Sequence, residues 1–160
     1  MNSEERNHSQ DTPKAERYLD IMQLWIYGPT NMGKTRFKEQ LVEKLRVYEL
    51  AYDGNWFDEY EDGMYDLIVA DEFKGQLKPT VMNRLLGSEM TSLCRRGTVP
   101  VRKLDRLPMI VLSNYNIRDC YHKLALMGAE SLVAMERRVN QVQVRDSQID
   151  IVFRQVTPRS

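Results

Sequence analysis

The chain has 160 residues, 42% of them hydrophobic, and its acidic and basic side chains balance to a formal net charge of zero. This is enough for one folded domain with its own core. No run approaches the ~20 apolar residues of a membrane-spanning helix, and no apolar signal segment is present. Cys94 and Cys120 are too few for a disulfide framework or a zinc site. Zero net charge disfavours a generally basic nucleic-acid coat but leaves room for a local basic patch.

Residues 1–16 are polar and of mixed charge, without a hydrophobic period. They are predicted to form a flexible lead or linker, and residues 17–160 to form the domain. The two histidines, His8 and His122, have no ligand-like spacing and are interpreted as incidental.

The first informative stretch is GPTNMGKT, which fits the phosphate-binding pattern G-x-x-x-x-G-K-[ST]. Glycines let the backbone turn its N–H groups toward a polyphosphate, and the following helix presents its positive dipole end. A lysine here can reach the β- and γ-phosphates, and a hydroxyl can ligate Mg²⁺. A chance Gly/Pro turn is the alternative. The predicted nucleotide-binding residues are Gly28, Pro29, Thr30, Asn31, Met32, Gly33, Lys34 and Thr35.

The context of this loop favours the phosphate-binding interpretation. Residues 22–27 are typical of a buried strand. The apolar spacing of Phe37, Leu41, Leu45 and Tyr48 predicts a helix over 35–48, and residues 47–52 could form a second strand.

Two carboxylates, Asp71 and Glu72, follow the most strand-like run in the chain, residues 67–70. A strand that ends on two acids beside a phosphate loop can hold Mg²⁺ and position water. Asp71 is predicted to serve the metal and Glu72 to act as general base. An ordinary acidic strand exit is the alternative.

A third candidate is Asn114, which follows the predicted buried strand 109–112. Its amide could bind the γ-phosphate and the attacking water. Asn also favours turns, and the residues from Ser113 to Asn116 are rich in turn formers, so both interpretations stay open.

Residues 95–106 contain five basic side chains and one acidic side chain, Asp105. Most of this stretch belongs to the predicted hairpin region 93–103. Such a cluster in a neutral chain predicts an anion-binding surface, although a solvated basic turn is the common outcome. Residues 95–98 are predicted as the turn and 99–101 as the returning strand. The predicted DNA-binding residues are Arg95, Arg96, Arg102, Lys103 and Arg106.

Near the C-terminus, residues 129–138 are predicted to be helical and to end on Arg137 and Arg138. Either arginine could cap this helix or insert into a neighbouring subunit's nucleotide site. Residues 139–144 and 149–156 are predicted as a terminal hairpin. A Pro79-initiated helix closed by Gly87 is also predicted. Strands alternating with helices predict an α/β fold with a central parallel β-sheet flanked by helices.

The order of motifs resembles the superfamily 3 helicase domain, and within it the replication initiator (Rep) proteins of circovirus-like, single-stranded circular DNA viruses. The resemblance covers roughly residues 20–156. The phosphate loop is shared by many families, whereas the series of motifs is far more specific. The motifs are GPTNMGKT, NWFDEY, LIVADEF, CRRGTVPVRK, IVLSNYN and MERRV.

The resemblance implies a P-loop NTPase of AAA+-like fold that binds ATP, or another NTP, with Mg²⁺. Lys34 and Thr35 resemble the Walker A pair, with Thr35 and Asp71 at the metal. Asp71 and Glu72 resemble Walker B, Asn114 the sensor asparagine, and the 95–103 hairpin a DNA-gripping element. Arg138 or Arg137 resembles an arginine finger.

The partners implied are single-stranded DNA and further copies of the chain in a hexameric ring that moves 3′ to 5′. The implied role is viral rolling-circle replication in the host nucleus, without a membrane. Relatives usually carry an N-terminal endonuclease domain with a His-apolar-His motif. This sequence lacks that motif, so we expect an excised helicase domain or a lost nuclease. Many relatives have Asp-Asp where this chain has Asp71-Glu72, which leaves the role of Glu72 open.

Two other functions fit the same residues. An NTP-driven assembly, packaging or RNA-virus helicase-like ATPase need not unwind DNA. A small nucleotide kinase shares the phosphate loop but needs an arginine-rich lid for its second substrate.

Overall fold

The computed structural model describes residues 23–30, 33–52, 57–87, 91–93, 95–96, 99–103 and 107–144. Five strands form a central sheet: β1 (Leu24–Tyr27), β2 (Val47–Glu49), β3 (Leu67–Phe73), β6 (Met109–Ser113) and β7 (Asn140–Gln143). Their order in the sheet is β2-β3-β6-β1-β7, and all neighbouring pairs are parallel.

Helices cover this sheet because its central strands β3 and β6 are apolar on both faces. Every residue of β6 is buried, as is the run Leu67–Ala70 at the start of β3. The helices are α1 (Lys34–Lys44), α2 (Pro79–Leu86), α3 (Ile117–Cys120), α4 (His122–Leu126) and α5 (Glu130–Arg138). The predicted α/β class, with a central parallel sheet flanked by helices, is confirmed.

The buried side chains divide into two clusters, one for each face of the sheet. Phe37 and Leu41 of α1 pack with Ile26 of β1 in one cluster. Trp25, which points the other way, packs in the second cluster with residues of α2 and α5 such as Met82 and Met135. Neighbouring strand residues point to opposite faces, so β1 anchors both layers and fixes where the following loop starts.

A separate two-stranded antiparallel sheet joins β4 (Thr91–Leu93) to β5 (Val101–Lys103). The hairpin expected in this region is therefore confirmed in its pairing. The returning strand begins at Val101 rather than at Val99, because the ladder starts with the pair Leu93–Val101.

Two predicted helix and strand boundaries were wrong. The helix expected over 35–48 ends at Lys44, and the strand expected over 47–52 is β2 alone. Tyr48 therefore lies on β2, where its ring meets Tyr60 edge-on at a centroid distance of 5.2 Å. The apolar spacing continued past the helix end because a buried strand residue happened to fall in phase with it.

The structure describes only the first strand of the predicted terminal hairpin, β7. This strand joins the central sheet parallel to β1, with Asn140 beside Leu24 and Gln143 beside Tyr27. Its predicted partner, residues 149–156, lies outside the described residues, as do the expected lead 1–16 and Met22. Pro79 begins α2 and Gly87 caps its end, as predicted. No helix among the described residues is long and apolar enough to cross a membrane.

Candidate functional site

The carboxyl ends of β1, β6 and β3 lie side by side, because these three strands are neighbours in the sheet. The loop after β1, the acids of β3 and Asn114 after β6 therefore meet at one edge. They line a cleft of about 610 Å³, which also includes Thr35, Arg36 and Lys74. Ligands of open parallel sheets bind outside the carboxyl ends of the strands. The fold therefore places the predicted nucleotide-binding residues where such sheets bind their ligands.

Lys34, the first residue of α1, directs its ammonium across the cleft mouth. Its Nζ donates to the carbonyl oxygens of Gly28 at 2.5 Å and Pro29 at 2.9 Å, and to Asn114 Oδ1 at 3.0 Å. Partial burial lowers the pKa of Lys34 from its ordinary value, and the negative charge of Asp71 opposes this shift. A phosphate oxygen is a stronger partner for this ammonium than a neutral carbonyl.

The two glycines of the loop are required for different reasons. Gly33 caps α1 with φ of 86°, a left-handed conformation that favours glycine. Gly28 is required by space, since a Cβ there would lie 2.5 Å from the carbonyl oxygen of Val144. The loop is thus pressed against the chain that leaves β7. Asn31 and Met32 lie outside the described residues.

Asp71 lies inside β3 rather than after it, and three groups hold it. Its Oδ2 is 2.8 Å from Lys38 Nζ, and its Oδ1 accepts from the backbone N–H of Glu72 at 2.9 Å. The hydroxyl of Tyr52 donates to its carbonyl oxygen at 2.6 Å. Lys38 and the Glu72 N–H therefore orient the Asp71 carboxylate.

Glu72 has a strained backbone and an exposed side chain. Its φ is 50°, and the pairing of β3 with β6 shifts register between Ala70 and Phe73, on either side of it. Left-handed non-glycine residues cost ~1–3 kcal/mol and cluster at functional sites. Glu72 lines the cleft.

Ser113 ties the ends of β6 and β3 together beneath the cleft. It is buried, and its Oγ donates to the carbonyl oxygen of Phe73 at 2.6 Å while it accepts from the N–H of Tyr115 at 3.0 Å. These contacts set the backbone on both sides of Asn114. Asn114 is itself exposed, with its amide oxygen on Lys34.

Magnesium fits the chemistry of this donor set. Within the described residues no group of three or more His, Cys, Asp or Glu side chains is placed to enclose a metal. Mg²⁺ uses hard oxygen ligands, commonly one or two carboxylates with waters and substrate phosphates. Asp71, Glu72 and the Thr35 hydroxyl are oxygen donors lining one cleft.

The basic segment is less free of acids than the sequence indicated. Asp58, from a distant loop, accepts from the backbone N–H of Arg96 at 2.7 Å and from its Nε at 2.8 Å. The Arg96 contacts hold the pKa of Asp58 below its ordinary value. Arg95 donates to the carbonyl oxygen of Val99. An acidic residue distant in sequence therefore contacts the basic segment, in addition to the sequence neighbour Asp105, which lies outside the described residues.

The rest of the predicted basic surface is described only in part. Arg102 and Lys103 lie on β5, and their side chains are outside the described residues, as is the whole of Arg106.

Arg137 and Arg138 lie at the opposite edge of the sheet from the cleft. They precede Asn140, which pairs with Leu24 at the amino end of β1, whereas the cleft follows its carboxyl end. Four strand residues separate the two edges by roughly 13 Å. Arg138 donates to Asn83 Oδ1 on α2 at 3.1 Å, and Arg137 is exposed.

Comparison with known proteins supports the fold. No known family profile matches the sequence, and no curated protein matches it. Among solved structures, the chain is similar to a protein from Streptococcus pyogenes serotype M3 provisionally described as a primosome component. The two share 17% identity with a TM-score of 0.50, over 82% of this chain and 72% of the other. At this identity the likeness shows the α/β fold alone.

Sequence reasoning missed two residues that contact Asp71, Lys38 and Tyr52. Lys38 lies four residues after Lys34 on the same face of α1, and this spacing was a usable signal. Tyr52 had no such signal, because its contact with Asp71 depends on how the chain leaves β2.

Proposed function

We propose that the protein is an ATP- or NTP-hydrolysing enzyme of the P-loop class that acts on single-stranded DNA as a helicase. One observation carries the proposal. Lys34, Asn114 and the carboxylates of Asp71 and Glu72 come from three adjacent strand ends and line one cleft. A phosphate loop, a metal-binding acid, a base and a polar amide are the parts that phosphoryl transfer to water requires.

Each residue has a distinct role in this proposal. Lys34 exchanges its carbonyl partners for phosphate oxygens, and the first turn of α1 presents backbone N–H groups to the same phosphates. Asp71 and Thr35 would hold Mg²⁺, which neutralises charge on the phosphate oxygens when bound. The Glu72 carboxylate accepts a proton from the attacking water. The Asn114 amide orients that water against the terminal phosphate.

The position of Arg137 and Arg138 favours action between subunits. Both are at the far edge of the sheet from their own cleft. An arginine there can complete only a neighbouring copy's site, as in a ring. Arg138 is already bonded to Asn83, whereas the exposed Arg137 needs no such contact broken. Hexameric assembly is part of the proposal and rests on the resemblance.

DNA binding is assigned to the hairpin of β4 and β5 with its connecting segment. Lys103 and Arg102 of β5 and the arginines of the turn would bind phosphates of one strand, and a ring would sum several such contacts. Asp58 competes with a phosphate for Arg96. The primosome description of the similar Streptococcus pyogenes protein agrees with a role in DNA replication. The sequence resemblance further supports a role in viral rolling-circle replication in the host nucleus, together with an endonuclease domain.

The second candidate is an NTP-driven assembly or packaging ATPase that uses the same cleft without a DNA track. The ion pair of Arg96 with Asp58 favours it, since this arginine's charge is already compensated.

Stimulation of ATP hydrolysis by single-stranded DNA separates the two candidates. We expect the rate to rise several-fold with a single-stranded oligonucleotide and much less with an equal mass of duplex. Hydrolysis that is unchanged by either would favour the assembly ATPase. Transfer of phosphate to a nucleoside monophosphate, without release of free phosphate, would identify a kinase instead.

A further inference from the structure

Lys38 connects the predicted metal acid to a second carboxylate outside the cleft. Its Nζ lies 2.8 Å from Asp71 Oδ2 and 3.1 Å from Glu49 Oε1. The side chains of Lys38 and Asp71 are 22% and 21% exposed, whereas Glu49 is 47% exposed. The closer and less hydrated contact is therefore the one with Asp71.

Both oxygens of Asp71 are engaged by this arrangement. Oδ1 accepts from the Glu72 backbone N–H, which is part of the strand and cannot swing away. Oδ2 is held by a flexible lysine side chain. A cation that binds directly at Oδ2 displaces the Lys38 ammonium, because an ammonium and Mg²⁺ repel each other at this range.

We propose that Lys38 is a positioning residue that holds Asp71 Oδ2 against magnesium, and that Glu49 receives its ammonium when the metal–nucleotide complex binds. The inference rests on the proposed function, since it takes Asp71 to serve that complex. Glu49 lies on β2 beside β3, at hydrogen-bond distance from Lys38 already. Lys38 thus keeps one carboxylate partner throughout. Mg²⁺ binds at Asp71 only together with the nucleotide, because the phosphates add to the attraction that the carboxylate exerts on the metal.

Two substitutions have opposite expected effects on this exchange. Lys38→Met frees Asp71 Oδ2 and increases the gain in nucleotide affinity that Mg²⁺ provides. Glu49→Gln removes the second partner, leaves Lys38 on Asp71 and decreases that gain in affinity. If Glu49 acts through Lys38, its substitution has no effect once Lys38 is Met; if it acts as a bare charge, the two effects add.

The test measures the affinity of a fluorescent ATP analogue, N-methylanthraniloyl-ATP, with Mg²⁺ and with EDTA. The readout is the dissociation constant in EDTA divided by the dissociation constant in Mg²⁺, so a higher ratio means that magnesium strengthens binding more. This measurement requires no turnover. We expect this ratio to rise about threefold in Lys38→Met, as for loss of a partly exposed ion pair. It should fall in Glu49→Gln and match Lys38→Met in the double variant. Lys44→Met, at the end of the same helix, changes net charge equally and should leave the ratio unchanged.

The outcomes separate this inference from the function on which it rests. A normal magnesium dependence in the wild type, with an unchanged or lower ratio in Lys38→Met, overturns the role of Lys38 alone. Additive effects in the double variant overturn the transfer to Glu49. Wild-type protein that binds the analogue equally with Mg²⁺ and EDTA overturns both. If Lys38→Met does not fold, Lys38→Gln removes the charge and keeps a donor, and a raised ratio is still expected.

Discussion

Lys34 Nζ donates a hydrogen bond of 3.0 Å to Asn114 Oδ1, and this contact joins the first residue of α1 to the end of β6. The two residues are 80 positions apart in the chain. They meet because β1 and β6 are parallel neighbours with Tyr27 beside Ser113. A cation and an amide held side by side can bind an anion together with a polar group next to it, such as a terminal phosphate and a water molecule.

The backbone of Glu72 gives a stability prediction with an unusual sign. Because φ is 50°, a Cβ is strained there and glycine is not. We expect Glu72→Gly to exceed Glu72→Ala in free energy of unfolding by about 1 kcal/mol, measured by urea denaturation. In a relaxed helix or strand the alanine variant is the more stable one. An alanine variant equal to or more stable than the glycine variant would show that this residue is not held in the left-handed region.

Substitution by alanine is expected to destabilise the protein at both Gly28 and Gly128, but for different reasons. At Gly28 the new Cβ meets the backbone carbonyl of Val144 at 2.5 Å, so the loop or β7 must shift. We expect a loss of ~1–3 kcal/mol in unfolding free energy together with weaker nucleotide binding. At Gly128 the Cβ meets nothing within 4 Å, but φ is +66°. Its alanine variant should lose stability and keep nucleotide affinity.

Calorimetry of thermal unfolding and titration with an ATP analogue separate these two glycine effects. Unchanged nucleotide affinity in a destabilised Gly28→Ala protein would mean that the tight packing on Val144 does not shape the loop.

The sequence predicted the buried strands β1, β3 and β6 and the position of Lys34, Asp71, Glu72 and Asn114 at their carboxyl ends, because these depend on local patterns. Buried strands appear as apolar runs, and the acids and Asn114 mark their ends. What the sequence could not supply depends on distant packing. The parallel pairing of β7 with β1, the bond from Tyr52 to Asp71 and the ion pair of Arg96 with Asp58 each join segments with no shared local signal.

The arginines at the end of α5 are expected to act on a neighbouring copy. Hydrolysis per subunit should therefore rise with protein concentration. Arg137→Ala should lose at least ~100-fold in rate, as for removal of a group that stabilises developing charge. Arg138→Ala should also lose the bond to Asn83, which adds a stability cost.

A mixing experiment tests this assignment. Arg137→Ala mixed with Lys34→Ala should regain part of the activity, because a mixed ring can pair an intact site with an intact arginine. Specific activity that is independent of concentration, with no recovery on mixing, would leave both arginines as structural residues.

Asp58 gives a test of the basic surface. Asp58→Asn removes the charge that competes with a phosphate for Arg96. We expect tighter binding of single-stranded DNA and a salt dependence of log affinity steeper by about 0.7, which corresponds to one added phosphate contact. Sequence preference should not change, because phosphate contacts do not read bases. Arg96→Ala and Lys103→Ala should flatten the same slope.

Fluorescence anisotropy with a labelled oligonucleotide at several salt concentrations gives these slopes, and Glu43→Gln, on the exposed face of α1, controls for overall charge. Equal affinities and slopes in the wild type, Asp58→Asn and the double variant Arg96→Ala/Lys103→Ala would remove the hairpin from the DNA-binding surface.

The central claim is that this cleft hydrolyses a nucleoside triphosphate, and Glu72→Gln tests it most directly beside Lys34→Ala. Release of phosphate from ATP and binding of the ATP analogue are measured on the same preparations. Lys34→Ala should lose hydrolysis and bind nucleotide weakly, since it lacks the cation at the phosphates. Glu72→Gln should bind nucleotide as the wild type does and hydrolyse it ~100-fold or more slowly, since its shape is kept and its base is lost. Near-normal hydrolysis by Glu72→Gln, or by Lys34→Ala, would contradict the assignment of the chemistry to this cleft.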